Sequence, residues 1–120
     1  MNTVPKTIFC DIDGSILEQH GDLSNMHLLT EEDLLPGVKK ANARWTRKGY
    51  TVIVTTGRKE SERELTVRQL KLVGFHYDLL IMGLPYGERV VINDRRAADN
   101  KNSATGINLV RNEGMEDLEV

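Results

Sequence analysis

Two carboxylates stand two residues apart early in the chain, at the end of a short apolar run. Asp11 and Asp13 follow residues 7–10, which are rich in β-branched and aromatic side chains, and Gly14 comes directly after them. No lysine or arginine lies beside the pair, so each charge raises the pKa of the other unless a cation stands between them. Hard divalent ions such as Mg²⁺ prefer carboxylate, phosphate and water oxygens. The pair therefore predicts metal-assisted chemistry, with an ordinary strand that ends in an Asp-Gly turn as the alternative.

Two later stretches end in polar residues of complementary kinds. Residues 51–56 form a β-branched run that leads to Gly57 and Arg58, and residues 89–93 lead to Asp94. If these runs are parallel strands, their carboxyl ends lie at one edge of a sheet. That edge offers a carboxylate nucleophile, a hydroxyl beside a glycine turn, and a further acid for a metal. Phosphoryl transfer to a carboxylate needs these groups.

The elements that position these residues alternate between strand and helix patterns. We predict strands at 7–10, 51–56, 77–82, 89–93 and 106–110, and helices at 36–49 and 60–73. The helices are expected to bury Val38, Ala41 and Trp45 in the first and Val67, Leu70 and Val73 in the second. This order predicts an α/β three-layer sandwich around a mostly parallel, five-stranded, Rossmann-like sheet. One connection is short, because a parallel crossover usually takes a dozen or more residues and only 83–88 separate the third and fourth strands.

The length of 120 residues predicts a single domain with no second core. Residues 16–35 show no clear helical period and are predicted to form a loop or a small flap, within which Thr30–Asp33 resembles either a helix start or a solvated acidic turn. His20 and His27, in the same segment, are interpreted as solvated side chains. Residues 112–120 form a polar, acidic tail that we expect to be frayed.

The composition limits the classes of partner. A net charge of −2 argues against general binding to nucleic acid or to an anionic membrane. The single cysteine, Cys10, cannot form an internal disulfide, which fits a reducing compartment. No apolar run approaches the ~20 residues of a membrane span, and the start of the chain lacks a signal-peptide core. We expect a cytoplasmic protein, and a second copy of the chain stays open as a partner. The basic residues of the first helix are interpreted as a solvated face: Lys39, Lys40, Arg44, Arg47 and Lys48.

Three of these stretches together resemble motifs of the haloacid dehalogenase superfamily, in its phosphatase branch. Residues 9–15 (FCDIDGS) are similar to the first motif, residues 52–58 (VIVTTGR) to the second, and residues 90–94 (VVIND) to the fourth. Ser15 is a mild departure, since the family usually has Thr or Val there. The resemblance covers most of the chain, and it implies that residues 1–120 form one phosphatase-like domain without a separate cap.

The resemblance implies a role for each matched residue. Asp11 would attack phosphorus, Asp13 would be the general acid and base, and Thr56 would bind the phosphate. The implied cofactor is Mg²⁺, and its implied ligands are Asp11, Asp13, Asp94 and Asp99. Asp99 has the spacing of one place that the family uses for its second acid, and Asn93 occupies the other.

The third motif does not match. Similar short members carry a lysine in a Gly-Lys-Pro before the fourth strand, where this chain has Leu84. Lys59, Arg63 and Arg89 are candidates for the missing positive charge, with ordinary surface charge as the alternative for each, and the first two are favoured because they begin the helix after Thr56. The residues expected to bind substrate are Gly57, Arg58, Lys59 and Arg63. Arg95 and Arg96 are interpreted as solvated charges.

The sequence therefore predicts a Mg²⁺-dependent phosphomonoester hydrolase that works through an aspartyl-phosphate on Asp11. The resemblance points to a sugar phosphate or a capsule-precursor phosphate as the substrate. The alternative is a binding or regulatory module that lost catalysis with the lysine replaced by Leu84, although retention of Asp13 favours the enzyme. A polynucleotide end phosphatase is a third hypothesis, which the acidic balance of the chain disfavours.

Overall fold

A computed structural model describes residues 4–19 and 30–120 of the chain. The described part is a small α/β domain, as the alternating pattern predicts. Its elements in chain order are β1 (Thr7–Cys10), α1 (Val38–Arg47), β2 (Thr51–Thr55), α2 (Arg63–Leu72) and β3 (Leu79–Ile81). Two short 3-10 turns, Glu31–Asp33 and Glu60–Glu62, precede the helices.

The three strands form one parallel sheet in the order β1-β2-β3. The register aligns Cys10 with Val54, and Val54 with Leu80. Because side chains alternate between the faces of a strand, these three residues lie on the same face of the sheet. They pack in one core with Trp45 of α1 and Leu70 of α2. The two predicted helices and the first three predicted strands are therefore confirmed.

The opposite face of the sheet is open in the part of the chain that the structure describes. Phe9, Leu79 and Ile81 point to that side and are 60%, 57% and 42% exposed. A parallel sheet usually has both faces covered. The third layer of the predicted sandwich is not formed by the residues described.

The two helices meet the core differently. The first helix buries the three residues that its periodicity predicts, Val38, Ala41 and Trp45. In α2 the prediction is wrong at Val67, which is 38% exposed, while Thr66 and Gln69 are buried beside Leu70. The inward face of α2 is thus partly polar, and the buried cation described below explains why.

Residues 89–93 and 106–110, predicted as the fourth and fifth strands, are not strands in the structure. Residues 85–108 are exposed throughout, and we call this segment the arm. A bridge between Arg95 and Asn102 closes its tip. The radius of gyration is 15.1 Å, against about 13.6 Å for a compact domain of this size. The arm therefore projects from the domain instead of completing its sheet.

The short connection after β3 gives the physical reason. The N–H of Gly83 donates to the carbonyl of Arg58, and the N–H of Leu84 donates to the carbonyl of Thr56. These bonds hold the chain at the carboxyl end of β2. Too few residues remain before residue 89 for the chain to return to the amino end of the sheet and start another parallel strand.

The C-terminal segment packs on the domain, so the expectation of a frayed tail at residues 112–120 is wrong. Met115 is 3% exposed, and its N–H donates to the carbonyl of Pro36 at 2.7 Å. Asn112 exchanges hydrogen bonds with the backbone of Gln19. Gly37 permits the contact, because a Cβ there would lie 2.4 Å from the backbone nitrogen that follows Met115. The buried side chain of Met115 and the side-chain amide of Asn112 thus hold the otherwise polar C-terminal segment against the domain.

The predicted flap at residues 16–35 lies partly outside the described residues, which omit 20–29 together with His20 and His27. Its end forms a single capped 3-10 turn, Glu31–Asp33, and the backbone is extended at Leu34, so the predicted helix start does not continue into a helix. The Thr30 hydroxyl accepts from the N–H of Glu32, and the Asp33 side chain accepts from the N–H of Thr30. Across the described ranges, no helix has the length and apolar character that crossing a membrane requires.

Candidate active site

The candidate site lies where β1 and β2 end. Asp11 directly follows β1, and Thr56 directly follows β2. The pairing of Cys10 with Val54 brings the two strand ends level, so both residues lie at the carboxyl edge of the sheet. Sites in parallel α/β sheets lie at this edge. The sequence prediction of a shared edge is thus confirmed for the first two motifs.

The surroundings of Asp11 disfavour the charged form of its carboxyl. Partial burial raises the pKa of its carboxyl above its usual range, and the nearby charge of Asp13 adds to the rise. The N–H of Ile12, the positive charge of Arg89 and the hydroxyl of Ser15 act in the opposite direction. The ionised form of Asp11 is therefore favoured by any further positive charge that reaches the site.

The guanidinium of Arg58 is buried and donates its hydrogen bonds to other residues of the protein. The sequence prediction had assigned this residue to substrate binding. The residue is 1% exposed. Its Nε and Nη2 donate to the two carboxylate oxygens of Asp13 at 2.9 and 2.8 Å. Its Nη1 donates to the hydroxyl of Thr66 at 3.1 Å and to the amide oxygen of Gln69 at 2.5 Å. The forked pair fixes the orientation of Asp13, since two parallel bonds define the plane of the carboxylate.

This buried cation explains the polar inward face of α2. An unpaired buried charge is costly, so the guanidinium needs acceptors on every side. Thr66 and Gln69 supply them from the same side of α2 as Leu70. The sequence contained this signal, because two polar residues interrupt the apolar side of a predicted helix soon after a Gly-Arg turn. The prediction passed over both residues and named only apolar ones.

Thr56 and Gly57 shape the turn that carries Arg58. Thr56 is 1% exposed, and its hydroxyl oxygen accepts from the N–H of Arg58 at 3.1 Å. Gly57 lies under the ring of Tyr86, where a Cβ would be 3.0 Å from a ring carbon. Thr56, predicted to bind the phosphate, and Gly57, predicted to bind substrate, therefore lie at the carboxyl edge of the sheet, and in the structure they support the turn.

The cation with an electrostatic influence on Asp11 is Arg89, the candidate that the sequence favoured least. Arg89 lies at the base of the arm, and its charge lowers the pKa of Asp11. Its Nη1 donates to the carbonyls of Pro85 and Gly87 at 2.7 and 3.0 Å. These two bonds hold the side chain in the loop that replaces the missing lysine motif.

The two favoured cations are engaged elsewhere or open to solvent. Arg63 forms a forked pair with Glu60 at 3.0 and 2.8 Å and also donates to the carbonyl of Leu80. Lys59 is exposed at the start of the 3-10 turn that precedes α2. Arg63 thus ties the start of α2 to β3, and no contact in the structure directs it towards Asp11.

The acids predicted to hold Mg²⁺ are divided between two regions. Asp11 and Asp13 lie at the end of β1, whereas Asp94 and Asp99 lie on the arm. The Asp99 carboxylate pairs with Arg96 at 2.7 Å. Among residues 4–19 and 30–120, no three acidic, histidine or cysteine side chains form a group that could hold a metal ion. Both oxygens of Asp13 are already bonded to Arg58, so the donor set of the described residues does not fit Mg²⁺.

No protein-family model and no curated protein matches the chain. The solved structures that are similar to it include the following two. One, described as the structure of a Pnkp1/Rnl/Hen1 complex, contains a chain that is 33% identical with a TM-score of 0.56 over 75% of this chain and 32% of that one. The other, described as the structure of the Pnkp1/Rnl/Hen1 RNA repair complex, gives 36% identity and a TM-score of 0.55 over 65% and 25%. The chain thus spans a third or less of either protein chain it is similar to.

Proposed function

We propose that the chain is a phosphomonoester hydrolase of the haloacid dehalogenase type, with Asp11 as the nucleophile. The observation that carries the proposal is the pairing of Asp13 with Arg58 beside Asp11 at the carboxyl end of a parallel sheet. A buried guanidinium that orients one acid, next to a second acid with a raised pKa, is a typical arrangement for acid–base chemistry. The residue matches to the superfamily motifs support the same assignment.

In the proposed reaction an oxygen of the Asp11 carboxylate attacks phosphorus, and the bond from phosphorus to the ester oxygen breaks. The leaving alkoxide takes its proton from Asp13, which regains a proton when it serves as the base in the next step. Water then attacks phosphorus, the bond to Asp11 breaks, and inorganic phosphate leaves with the carboxylate restored. Asp13 serves as the base for the attacking water. Because both of its oxygens accept bonds from Arg58, protonation of the leaving group by Asp13 requires that this pair open.

Dependence on Mg²⁺ is part of the proposal, as is the complete five-stranded, three-layer sandwich. Both need the arm to join the sheet, because residues 89–93 and 106–110 supply the missing strands and Asp94 supplies a further acid. We expect hydrolysis only in the form of the protein that brings an additional carboxylate to Asp11, and we expect that form to require Mg²⁺.

The test is hydrolysis of an aryl phosphate with and without Mg²⁺. Asp11→Asn should lower the rate by at least about 10³-fold, as expected when a nucleophile is removed. Asp13→Asn should lower it by about 10²–10⁴-fold, the usual contribution of a general acid or base. Asp117→Asn, in an exposed acid of the C-terminal segment, is the matched control and should leave the rate unchanged. Release of phosphate that survives Asp11→Asn contradicts the mechanism.

A phosphate at an RNA end is a second candidate substrate, favoured by the similarity to part of a chain from an RNA repair complex. The basic side of α1 offers a backbone contact through Lys39, Lys40 and Arg47, all exposed. If RNA is the substrate, Lys39→Glu with Lys40→Glu should weaken hydrolysis of an RNA 3′- or 5′-phosphate and leave aryl phosphate hydrolysis intact. An equal effect on both substrates excludes this contact.

The non-enzymatic module makes a different prediction from the same measurements. A protein that binds Mg²⁺ but releases no phosphate from aryl, sugar or RNA substrates is the module. Asp11→Asn then changes metal binding alone. The hydrolase and the module are thus separated by turnover and not by binding.

A further inference from the structure

The ring of Tyr86 lies exposed against the turn that follows β2. A Cβ on Gly57 would be 3.0 Å from the ring carbon Cε1 and 3.3 Å from Cζ, so the ring packs on the backbone of this turn. The residue is nevertheless 79% exposed. One side of the ring thus contacts Gly57, and the rest is open to solvent. An aromatic ring in this state offers an area that a second planar group can cover.

The loop that carries this ring is held by hydrogen bonds on both sides of it. Gly83 and Leu84 donate their N–H groups to carbonyls of the turn after β2, at 2.7 and 3.1 Å. The Nη1 of Arg89 donates to the carbonyls of Pro85 and Gly87, the residues on either side of the tyrosine, at 2.7 and 3.0 Å. The loop is therefore ordered before a ligand arrives, so a ligand that packs on the ring loses less affinity to ordering.

The turn under the ring borders the candidate nucleophile. Asp11 follows β1 and Thr56 follows β2, and neighbouring strands lie about 4.8 Å apart. From the same turn, Arg58 reaches the carboxylate of Asp13 at 2.8 Å. In an in-line displacement the leaving group departs opposite to the attacking oxygen, so it points away from Asp11 and the sheet. The Tyr86 ring, on the solvent side of this turn, is within reach of that group.

We propose that Tyr86 sets substrate specificity by packing its ring against a planar leaving group, an inference that rests on the proposed function. A benzene ring and a nucleobase share the required chemistry, because both are flat and can cover the open side of the tyrosine. A saturated leaving group has no flat face and gains less from the contact. The preferred substrates are then phosphomonoesters with an aromatic group near the ester oxygen.

Two matched pairs of substrates test the contact. Benzyl phosphate and cyclohexylmethyl phosphate differ in the planarity of one ring, and adenosine 5′-monophosphate and ribose 5-phosphate differ in the base. The wild type should show a KM about 3- to 10-fold lower for the planar member of at least one pair, the size expected for one aromatic contact. The pair that responds tells whether the planar group lies directly at the ester oxygen or beyond a ribose. Equal KM values within both pairs overturn the proposal.

Variants at Tyr86 separate the flat ring from apolar bulk. Tyr86→Phe keeps the ring and should keep the preference for planar substrates. Tyr86→Leu keeps an apolar side chain without a flat face, and it should raise the KM of the planar substrates to that of their saturated partners. Ile107→Ala, at an exposed apolar side chain elsewhere in the arm, is the matched control and should keep the preference. A preference that survives Tyr86→Leu overturns the proposal.

Unfolding in urea tests the position of the ring. Gly57→Ala adds a Cβ that collides with the ring, so it should lower the urea midpoint. On a Tyr86→Ala background the ring is gone, and the same change at Gly57 should cost less, since the two residues are in contact. Equal losses on both backgrounds would mean that the ring does not lie on the turn, which overturns the proposal.

Binding measurements separate this inference from the proposed function. Benzylphosphonate and cyclohexylmethylphosphonate are titrated by calorimetry into the wild type and Tyr86→Leu. A preference for the planar phosphonate that disappears in Tyr86→Leu, in a protein that hydrolyses nothing, keeps the Tyr86 contact and rejects the hydrolase. Hydrolysis that requires Asp11 but shows the same KM pattern in the wild type and Tyr86→Leu keeps the hydrolase and rejects the contact.

Discussion

Two ion pairs of nearly equal length show how differently the core and the arm use charge. Arg58 and Asp13 meet at 2.8 Å, and Arg96 and Asp99 meet at 2.7 Å. The side chains of the first pair are 0% and 17% exposed, while those of the second are 59% and 38% exposed. Length alone therefore says little about the importance of either pair. Burial makes the first pair a fixed part of the site, whereas the second is a surface contact three residues apart in sequence.

The contrast extends to apolar side chains. In the core, Val54 and Leu70 are fully buried, whereas Val90 to Ile92 in the arm are at least 62% exposed. A contiguous apolar segment that is exposed on a folded domain commonly marks a binding surface. The apolar side chains of the arm therefore lack the burial that those of the core have. The following experiments compare these two regions.

Thiol reactivity should separate the regions most clearly. Burial raises the pKa of Cys10 from 9.0 to about 12, and the charge of Asp11 adds to the rise. Because the thiolate is the reacting species, alkylation of Cys10 at mildly alkaline pH should be slower by about three orders of magnitude than that of an ordinary thiol. A cysteine introduced by Ala97→Cys at the exposed arm tip should react at the ordinary rate. Equal rates, measured by peptide mass spectrometry, would mean that β1 opens readily.

Removing the cation of each ion pair should give unequal losses of stability. Arg58→Met leaves the Asp13 carboxylate without its partner and should lower the free energy of unfolding by about 3–5 kcal/mol. Arg96→Met should change it by about 0–1 kcal/mol, as for other exposed pairs. Urea unfolding measures both. If Arg58→Met does not fold, Arg58→Lys keeps the charge but not the forked geometry, and it should still unfold at a lower urea concentration than the wild type.

Truncation of apolar side chains should depend on protein concentration in the arm but not in the core. Leu70→Ala should cost about 2–5 kcal/mol at any concentration, since it leaves a cavity. In dilute protein, Ile92→Ala should stay within about 0.5 kcal/mol, the usual range for surface changes. If this apolar segment contacts another molecule, the effect of Ile92→Ala should grow as the concentration rises. A concentration-independent loss at Ile92 would show that the arm packs on its own copy.

The smallest expected effect concerns Asp11 and pH. Its folded-state pKa lies above its ordinary value of 3.8, so the native state binds the proton more readily than the unfolded chain. Stability from this group is therefore gained as the pH falls through the window above 3.8 and lost as it rises. Asp11→Asn should unfold at slightly higher urea than the wild type near neutral pH, and the difference should vanish below pH 3.8. A variant that is less stable at neutral pH would mean that the charge of Asp11 is already compensated.

Local sequence patterns were sufficient to predict the first three strands and both helices. The β-branched run before Asp11 and the spacing of Val38, Ala41 and Trp45 depend on residues close in sequence, so their structure follows from periodicity. The motif residues at the ends of β1 and β2 were predicted to share an edge, and they do. The predicted role of Arg58 differs from its observed contacts because the burial of a side chain depends on which helix packs over it.

The sequence by itself determined the α/β class, the two acids at the end of β1 and the glycine turn after β2, because short-range preferences and strand alternation dictate them. Tertiary structure alone decided that Arg58 serves Asp13 through acceptors from α2, and that Arg89 is the cation with an influence on Asp11. It also decided that the loop after β3 is held at the carboxyl end of β2, which directs the arm away from its own sheet. These outcomes depend on contacts between segments that are distant in the chain. Spacing along the sequence does not show which charged residue becomes buried, or which residues it then contacts.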